Sequence, residues 1–313
     1  MGRRARLREL LTAGLVAAAM GALACDDGSA PSDPEPSWEL VFEGVLNSTA
    51  EMLRLDSATG NVFRMLPEGT VALDPAPSPD GTRIAFVVAD YVSSTGDIFV
   101  VNRNGTGIQQ LTFDPELDDQ PAWSPDGQRI AFRSFRTLRE GDIWLMDADG
   151  GNPVNLTPDP LPGITDESRP AWSPDGSRIA YTSNAGGNLD IWTMAANGSD
   201  HQRLTNTIDL DTEAAWSPDG LVIAFRRSNQ AATDILLVPA AGGTAQPMTL
   251  PGSQRQPVWS PDGQRLYFVH QDPMTARPDL FSARPDGTSL TPVVTSAVPG
   301  GSLNPAWLRP PPH

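Results

Sequence analysis

Nine charged residues recur a few positions ahead of the Trp residues that punctuate this chain, or of Pro77, which stands in the place of one: Asp74, Asp118, Asp119, Asp166, Glu167, Arg169, Asp211, Glu213 and Arg255. Brought together, seven carboxylates with two guanidinium groups could do one of two things. They could dock a basic peptide or protein segment, with neighbouring aromatic and Arg side chains as anchors. They could instead hold a hard cation such as Ca²⁺ on oxygen ligands, with Asp119, Glu167 and Glu213 as the candidate set. A third reading is bland: the acids cap strand starts and stay solvated.

Other chemistries find little material. No G-x-S-x-G elbow occurs. All 22 basic residues are Arg, so a P-loop lysine, a Schiff base or a lysine base is excluded. His201, His270 and His313 lie far apart in the repeats and do not form a His-rich metal site. Of these only His270 falls toward the variable side of the repeat, where a packing or surface role is expected. Asp147-Ala148-Asp149-Gly150 has the look of a calcium loop but lacks the remaining ligands, and its place in the repeat makes it a hairpin turn.

The elements that must position these residues are repeats. Ser-Pro-Asp-Gly tetrads begin at Ser78, Ser124, Ser173, Ser217 and Ser260, in steps of 46, 49, 44 and 43 residues. Periods in the forties suit four-stranded propeller blades. The tetrad is turn chemistry: Pro presets φ, Asp bonds its own backbone and Gly takes positive φ. A first strand runs into it, usually ending in Trp. A second follows, as in Ile130-Ala131-Phe132, and a third starts at Asp97, Asp142, Asp190, Asp234 and Asp279. These runs are almost wholly apolar, which suits strands covered on both faces. The Asp that opens each third strand recurs in every copy, which predicts a structural, backbone-bonding role. Asn-Gly or Asp-Gly pairs at Asn104, Asp149, Asn197 and Asp286 predict a hairpin to a fourth strand ending near Leu-Thr.

The pattern W-S-P-D-G-x-R-I-A-F, then D-I-W-x-M, D-G and L-T, resembles the TolB-type propeller repeat of bacterial envelope proteins, over roughly residues 37–308. The resemblance implies an all-β fold: a six-bladed β-propeller of four-stranded antiparallel blades. Trp38 to Phe42, Glu51 to Leu55 and Val62 to Leu66 match the second, third and fourth strands of a blade whose first strand is missing. Pro305-Ala306-Trp307 supplies it, so the C-terminal strand is expected to join the first blade and close the ring. TolB itself carries an α/β domain ahead of its propeller, and similar repeats precede the hydrolase domain of some peptidases. This chain is therefore expected to be a stand-alone member and not TolB proper.

The tight turns share one face of such a disc. The inter-blade loops and second-to-third loops share the other, where length and composition vary as in functional loops. The nine charged residues are expected around the channel mouth on that variable face, with Tyr91, Phe135, Arg136, Leu138, Arg139 and residues 272–277 farther out.

Residues 1–24 read as a signal peptide with a basic start and an apolar core too short to span a bilayer. Ala22-Leu23-Ala24-Cys25 resembles a bacterial lipobox, although Leu23 stands two residues ahead of the Cys and the usual place is three. The resemblance implies lipidation of Cys25, the chain's only cysteine; simple cleavage after Ala24 would leave a free thiol. Residues 25–36 read as an acidic Pro/Ser tether and 309–313 as a Pro-rich tail. The net charge is −16, a poor footprint for nucleic acid and one that anionic headgroups repel. The expected protein is thus a monomer, lipid-anchored in the bacterial cell envelope and non-catalytic, which binds an envelope protein or basic segment. No cofactor is expected unless Ca²⁺ sits in the channel. The alternative is a calcium-dependent hydrolase or lyase working through channel carboxylates.

Overall fold

The computed structural model describes residues 39–46, 49–57, 59–90, 95–137, 140–158, 165–229, 232–271, 278–294 and 302–308. Cys25 with the whole of 1–36, Tyr91, Leu138, Arg139, residues 272–277 and the tail 309–313 lie outside them.

The described chain forms six sheets of four antiparallel strands. Blade 3 is typical, with strands Asp118–Trp123, Arg129–Ser134, Asp142–Asp147 and Val154–Asn155 hydrogen-bonded in that order. Blade 1 is assembled from both ends of the chain. Ser302–Leu308 pairs antiparallel with Glu39–Leu46, setting Trp307 opposite Leu40 and Ser302 opposite Gly44. The ring closes as expected.

Near-continuous apolar strands are explained by what covers them. Ile130, Ala131 and Phe132 are all fully buried, because successive side chains face different neighbouring blades. Six hydrophobic clusters result, one at each blade-to-blade interface. Ile98 and Leu111 of blade 2 meet Trp123 and Phe132 of blade 3, and Val269 and Leu280 of blade 6 meet Leu40 and Phe42 of blade 1.

Polar groups repeat with the same regularity. In the turns the Ser78 hydroxyl donates to Asp80 at 2.6 Å and accepts from the Arg83 amide at 3.0 Å, and the other tetrads do likewise. The indole N–H groups of Trp123, Trp172, Trp216 and Trp259 donate to the carbonyls of Ala76, Ala122, Ala171 and Ala215, each in the preceding blade, at 3.0–3.1 Å. Trp172→Phe removes one such bond and leaves a shielded carbonyl without its donor. It is expected to cost about 1–2 kcal/mol in urea denaturation; an unchanged midpoint would deny the bond any role in blade cohesion. Gly150 shows why the hairpin glycines are required. Its φ is +89°, and a Cβ there would stand 2.6 Å from the Leu111 carbonyl oxygen of the blade before.

At Asp97, Asp142 and Asp190 the Asp opening the third strand accepts from side chains, where a backbone-bonding role was expected. Asp97 accepts from Thr112 and Gln110 at 3.1 Å each, and Asp142 accepts from Asn155 at 3.0 Å. The Thr of Leu-Thr takes the backbone role: Thr112, Thr157 and Thr205 hydroxyls accept from the amides of Ile98, Ile143 and Ile191. That leaves the fourth strand only two residues long in blades 2 to 5, since the chain turns inward to bring the Thr across.

Candidate functional site

One residue in each innermost strand departs from strand geometry. Asp74, Gln120, Arg169, Glu213, Gln256 and Asn304 have φ between 46° and 62°. Among the described residues nine non-glycine positions take positive φ, and these six are one to a blade. Five of the six precede a proline, and Ala214 follows Glu213. Each marks a bulge in which two innermost-strand residues oppose one aromatic on the second strand. The aromatics are Phe86, Phe132, Tyr181, Phe225, Phe268 and Phe42. The bulge breaks the two-residue alternation and re-aims the side chain. All six residues, with the Pro or Ala after them, line a single cavity of about 170 Å³ on the axis of the ring. A left-handed non-glycine residue costs roughly 1 kcal/mol or more, so six of them make a considerable stored strain at one place.

A relay of side chains links the six. The Gln120 amide donates to the Asp74 carboxylate. The Arg169 amide donates to Gln120 Oε1 at 2.7 Å, the Gln256 amide to Glu213 Oε2 at 2.6 Å, and the Asn304 amide to Gln256 Oε1 at 3.0 Å. Gln256 Nε2 returns a bond to Asn304 Oδ1. The relay breaks between Arg169 and Glu213, because a guanidinium has no acceptor. Glu43, in the second strand of blade 1, reaches the ring from beside it. Its Oε1 accepts from the Asp74 amide at 2.6 Å and from Asn304 Nδ2 at 2.5 Å, while the same Nδ2 stands 3.1 Å from Asp74 Oδ1.

Burial is the chief influence on these acids. It pushes Glu43 up to about 7, helped by the Asp74 charge. Asp74 is pushed up to about 6 by burial and then by Asp119.

The remaining residues expected at the mouth do other work. Asp118, Glu167 and Asp211 stand two residues ahead of the ring positions, at 0%, 4% and 0% exposure. Asp118 accepts from Arg136 at 2.6 Å, Glu167 from the Ser183 hydroxyl at 2.7 Å, and Asp211 from Arg227 through two bonds of 2.7 Å. They lie outside the cavity lining because the bulge turns only the third residue before the Trp toward the axis. Asp119 is held by Arg133 in a two-bond pair of 2.8 and 2.5 Å. Asp166 accepts from the Gly141 amide at 3.1 Å. The candidate cation set of Asp119, Glu167 and Glu213 is not assembled: each is engaged by its own partners, and among the described residues no three His, Cys, Asp or Glu side chains are grouped to hold a metal ion. Arg136 faces inward, over the Trp144 ring at 4.7 Å, and is no docking anchor. His270 is buried against Phe281 at 4.9 Å.

Charge-based reading passed over Gln120, Gln256, Asn304 and Glu43. The signal for the first three was present in the residue ahead of each Pro-Ala-Trp-like triplet, which differs in type from copy to copy far more than the triplet does.

Fold and site together define a six-bladed β-propeller with a polar axial cavity. Residues 161–300 match the TolB beta propeller domain model, and residues 91–209 match the dipeptidyl peptidase IV N-terminal region. The described residues form a β-propeller, and the match to the TolB propeller model takes in somewhat less than half of the chain. It is 33% identical over 115 residues to the Tol-Pal system protein TolB of Anaeromyxobacter dehalogenans, covering 36% of this chain and 25% of that protein. It is 33% identical over 88 residues to the uncharacterized peptidase YuxL of Bacillus subtilis, covering 27% of this chain and 13% of that protein. The matched stretches thus span a quarter or less of these relatives. Among solved structures, TolB from Acinetobacter baumannii superposes with a TM-score of 0.72 at 22% identity, over 87% of this chain and 66% of that one. A Mycobacterium tuberculosis puromycin-hydrolyzing peptidase superposes with a TM-score of 0.61 at 16% identity, over 84% and 44%.

Proposed function

We propose that the protein is a non-catalytic protein-binding module of the bacterial cell envelope, lipid-anchored at Cys25, that docks its partner on the variable-loop face over the axial cavity. The carrying observation is the ring of six strained side chains. Strain held at one place by six separate bulges is characteristic of recognition sites. Elsewhere the blades repeat one another, yet here every blade but two presents a different side chain. The inter-blade loops add two exposed apolar residues, Phe113 at 75% and Ile208 at 97%, of the kind that anchor protein interfaces. The names of the TolB relatives are in keeping with an envelope location.

The test is cross-linked capture from envelope extract by the whole chain, beside a Phe113→Ser/Ile208→Ser variant and an Arg169→Gln variant. The expected result is one partner, recovered at least fivefold less by both variants at unchanged melting temperature. Equal recovery by all three would remove this face from the reading.

The hydrolase alternative draws on the dipeptidyl peptidase-type match and on Glu43, whose pKa near neutrality would suit proton transfer. It requires peptide turnover that Glu43→Gln abolishes; docking requires none.

A further inference from the structure

The rim of the cavity is polarised. Glu43 and Asp74 lie on the side of blades 1 and 2. Across the ring, three arginines gather around one acid. Arg226 Nη1 donates to Glu213 Oε1 at 3.1 Å, and Arg169 Nη2 stands 4.0 Å from the same oxygen. Arg255, on the innermost strand of blade 6, interacts with the Glu213 charge and is repelled by Arg226.

Register explains the imbalance. In blade 3 the arginine after the second-strand Phe, Arg133, lies opposite Asp119 and is fully paired with it. In blade 5 the equivalent Arg226 lies opposite Thr212, so it turns to Glu213. In blade 6 Arg255 lies opposite Val269, which offers it no acid across the strand pair. Among the described residues Arg255 has no carboxylate within ion-pair distance, and the buried Nε of Arg226 has no hydrogen-bond partner. Glu213 cannot serve all three, since its second oxygen already accepts the Gln256 amide. Burial, and then Arg226, hold the Arg255 guanidinium below the usual arginine range. Three guanidinium groups sharing one carboxylate leave an excess of positive charge in a partly shielded place, which favours an anionic ligand.

We infer that Arg226, Arg255 and Arg169 form an anion-binding subsite at the cavity rim that takes a carboxylate of the docked partner, an Asp or Glu side chain. The assignment rests on the docking reading above and deepens it. The unused donors, Arg226 Nε and the Arg255 fork, suit the planar two-oxygen acceptor. The subsite therefore selects a partner segment with an acidic residue at its tip, where a net-acidic protein would by overall charge favour a basic one.

The experiment is an NMR titration of the whole chain labelled with ¹⁵N-arginine, reading the Nε–Hε resonances. Sodium succinate is the probe, with sodium phosphate and sodium chloride at matched ionic strength. We expect saturable shifts at Arg226 and Arg255 with succinate and none at paired Arg133. Arg255→Gln should weaken the succinate response at Arg226 at least tenfold; Arg226→Gln, read at Arg255, serves if the first variant fails to fold. Shifts that merely follow ionic strength, an unmoved Arg226, or saturation by phosphate but not succinate would overturn the assignment. Partner capture by a chain whose subsite is silent would overturn the subsite and leave docking intact. Succinate binding by a chain that captures nothing on this face would overturn the partner assignment alone.

Discussion

Removing residues 302–313 is expected to abolish cooperative unfolding of the ring. The lost strand carries Leu308, fully buried between blades 1 and 2, and Trp307, whose ring packs edge-on against Tyr267 of blade 6 at 4.7 Å. It also carries Asn304, which holds Glu43 and Asp74 together. A buried Leu and a large aromatic are together worth more than about 5 kcal/mol by truncation data, as much as the whole stability of a marginal domain. The loss also exposes a strand edge on Glu39–Leu46 that invites association. Trp307→Ala is the milder form: roughly 3 kcal/mol, or a fall of about 6–12 °C in a ring of this size. Calorimetry of both proteins checks this. A Trp307→Ala melting temperature equal to wild type would mean that the closing strand does not hold the ring.

Glu43→Gln is expected to stabilise the protein at pH 8 while changing little at pH 4. Burial pushes the folded pKa of Glu43 up to about 7, against 4.5 for a fully solvated carboxyl. A carboxyl raised on folding favours the native state fully below the unfolded value, and that advantage is lost as pH rises through the folded value. The wild type should therefore lose stability between about pH 4.5 and 7, by an amount of order 3 kcal/mol if the whole shift is realised. Gln cannot ionise, yet its carbonyl can still accept from the Asp74 amide and Asn304, and its NH₂ can donate to Asp74. Urea unfolding at pH 4, 6 and 8 reads the difference. A variant less stable than wild type by the same margin at every pH would show that the carboxylate itself is required.

The fold was open to reading from sequence because each blade must satisfy the same local demands five or six times over. Turn residues, buried runs and the Trp positions all point to one answer, and the lone Pro305-Ala306-Trp307 located the seam. The site was less accessible. Asp74, Arg169 and Glu213 were picked out by charge and do line the cavity, whereas Asp118, Glu167 and Asp211 were picked out by the same criterion and lie buried beside it. What separates the two sets is a bulge opposite a buried aromatic, a backbone event with no charge signature. Gln120, Gln256 and Asn304 were missed for the same reason. The Arg226–Arg255 imbalance depends on which residue faces which across two strands, and pairing of that kind appears only once register is fixed.

Glu43 and Asn304 are 261 positions apart in the chain and 2.5 Å apart in the ring. Synthesis runs from the amino end, so the wall of the cavity stays open until the last strand has left the ribosome. A product cut short, or clipped by a protease ahead of Ser302, would carry five intact repeats and an unfinished cavity wall. On the docking proposal, competence to bind would depend on the closing strand being present.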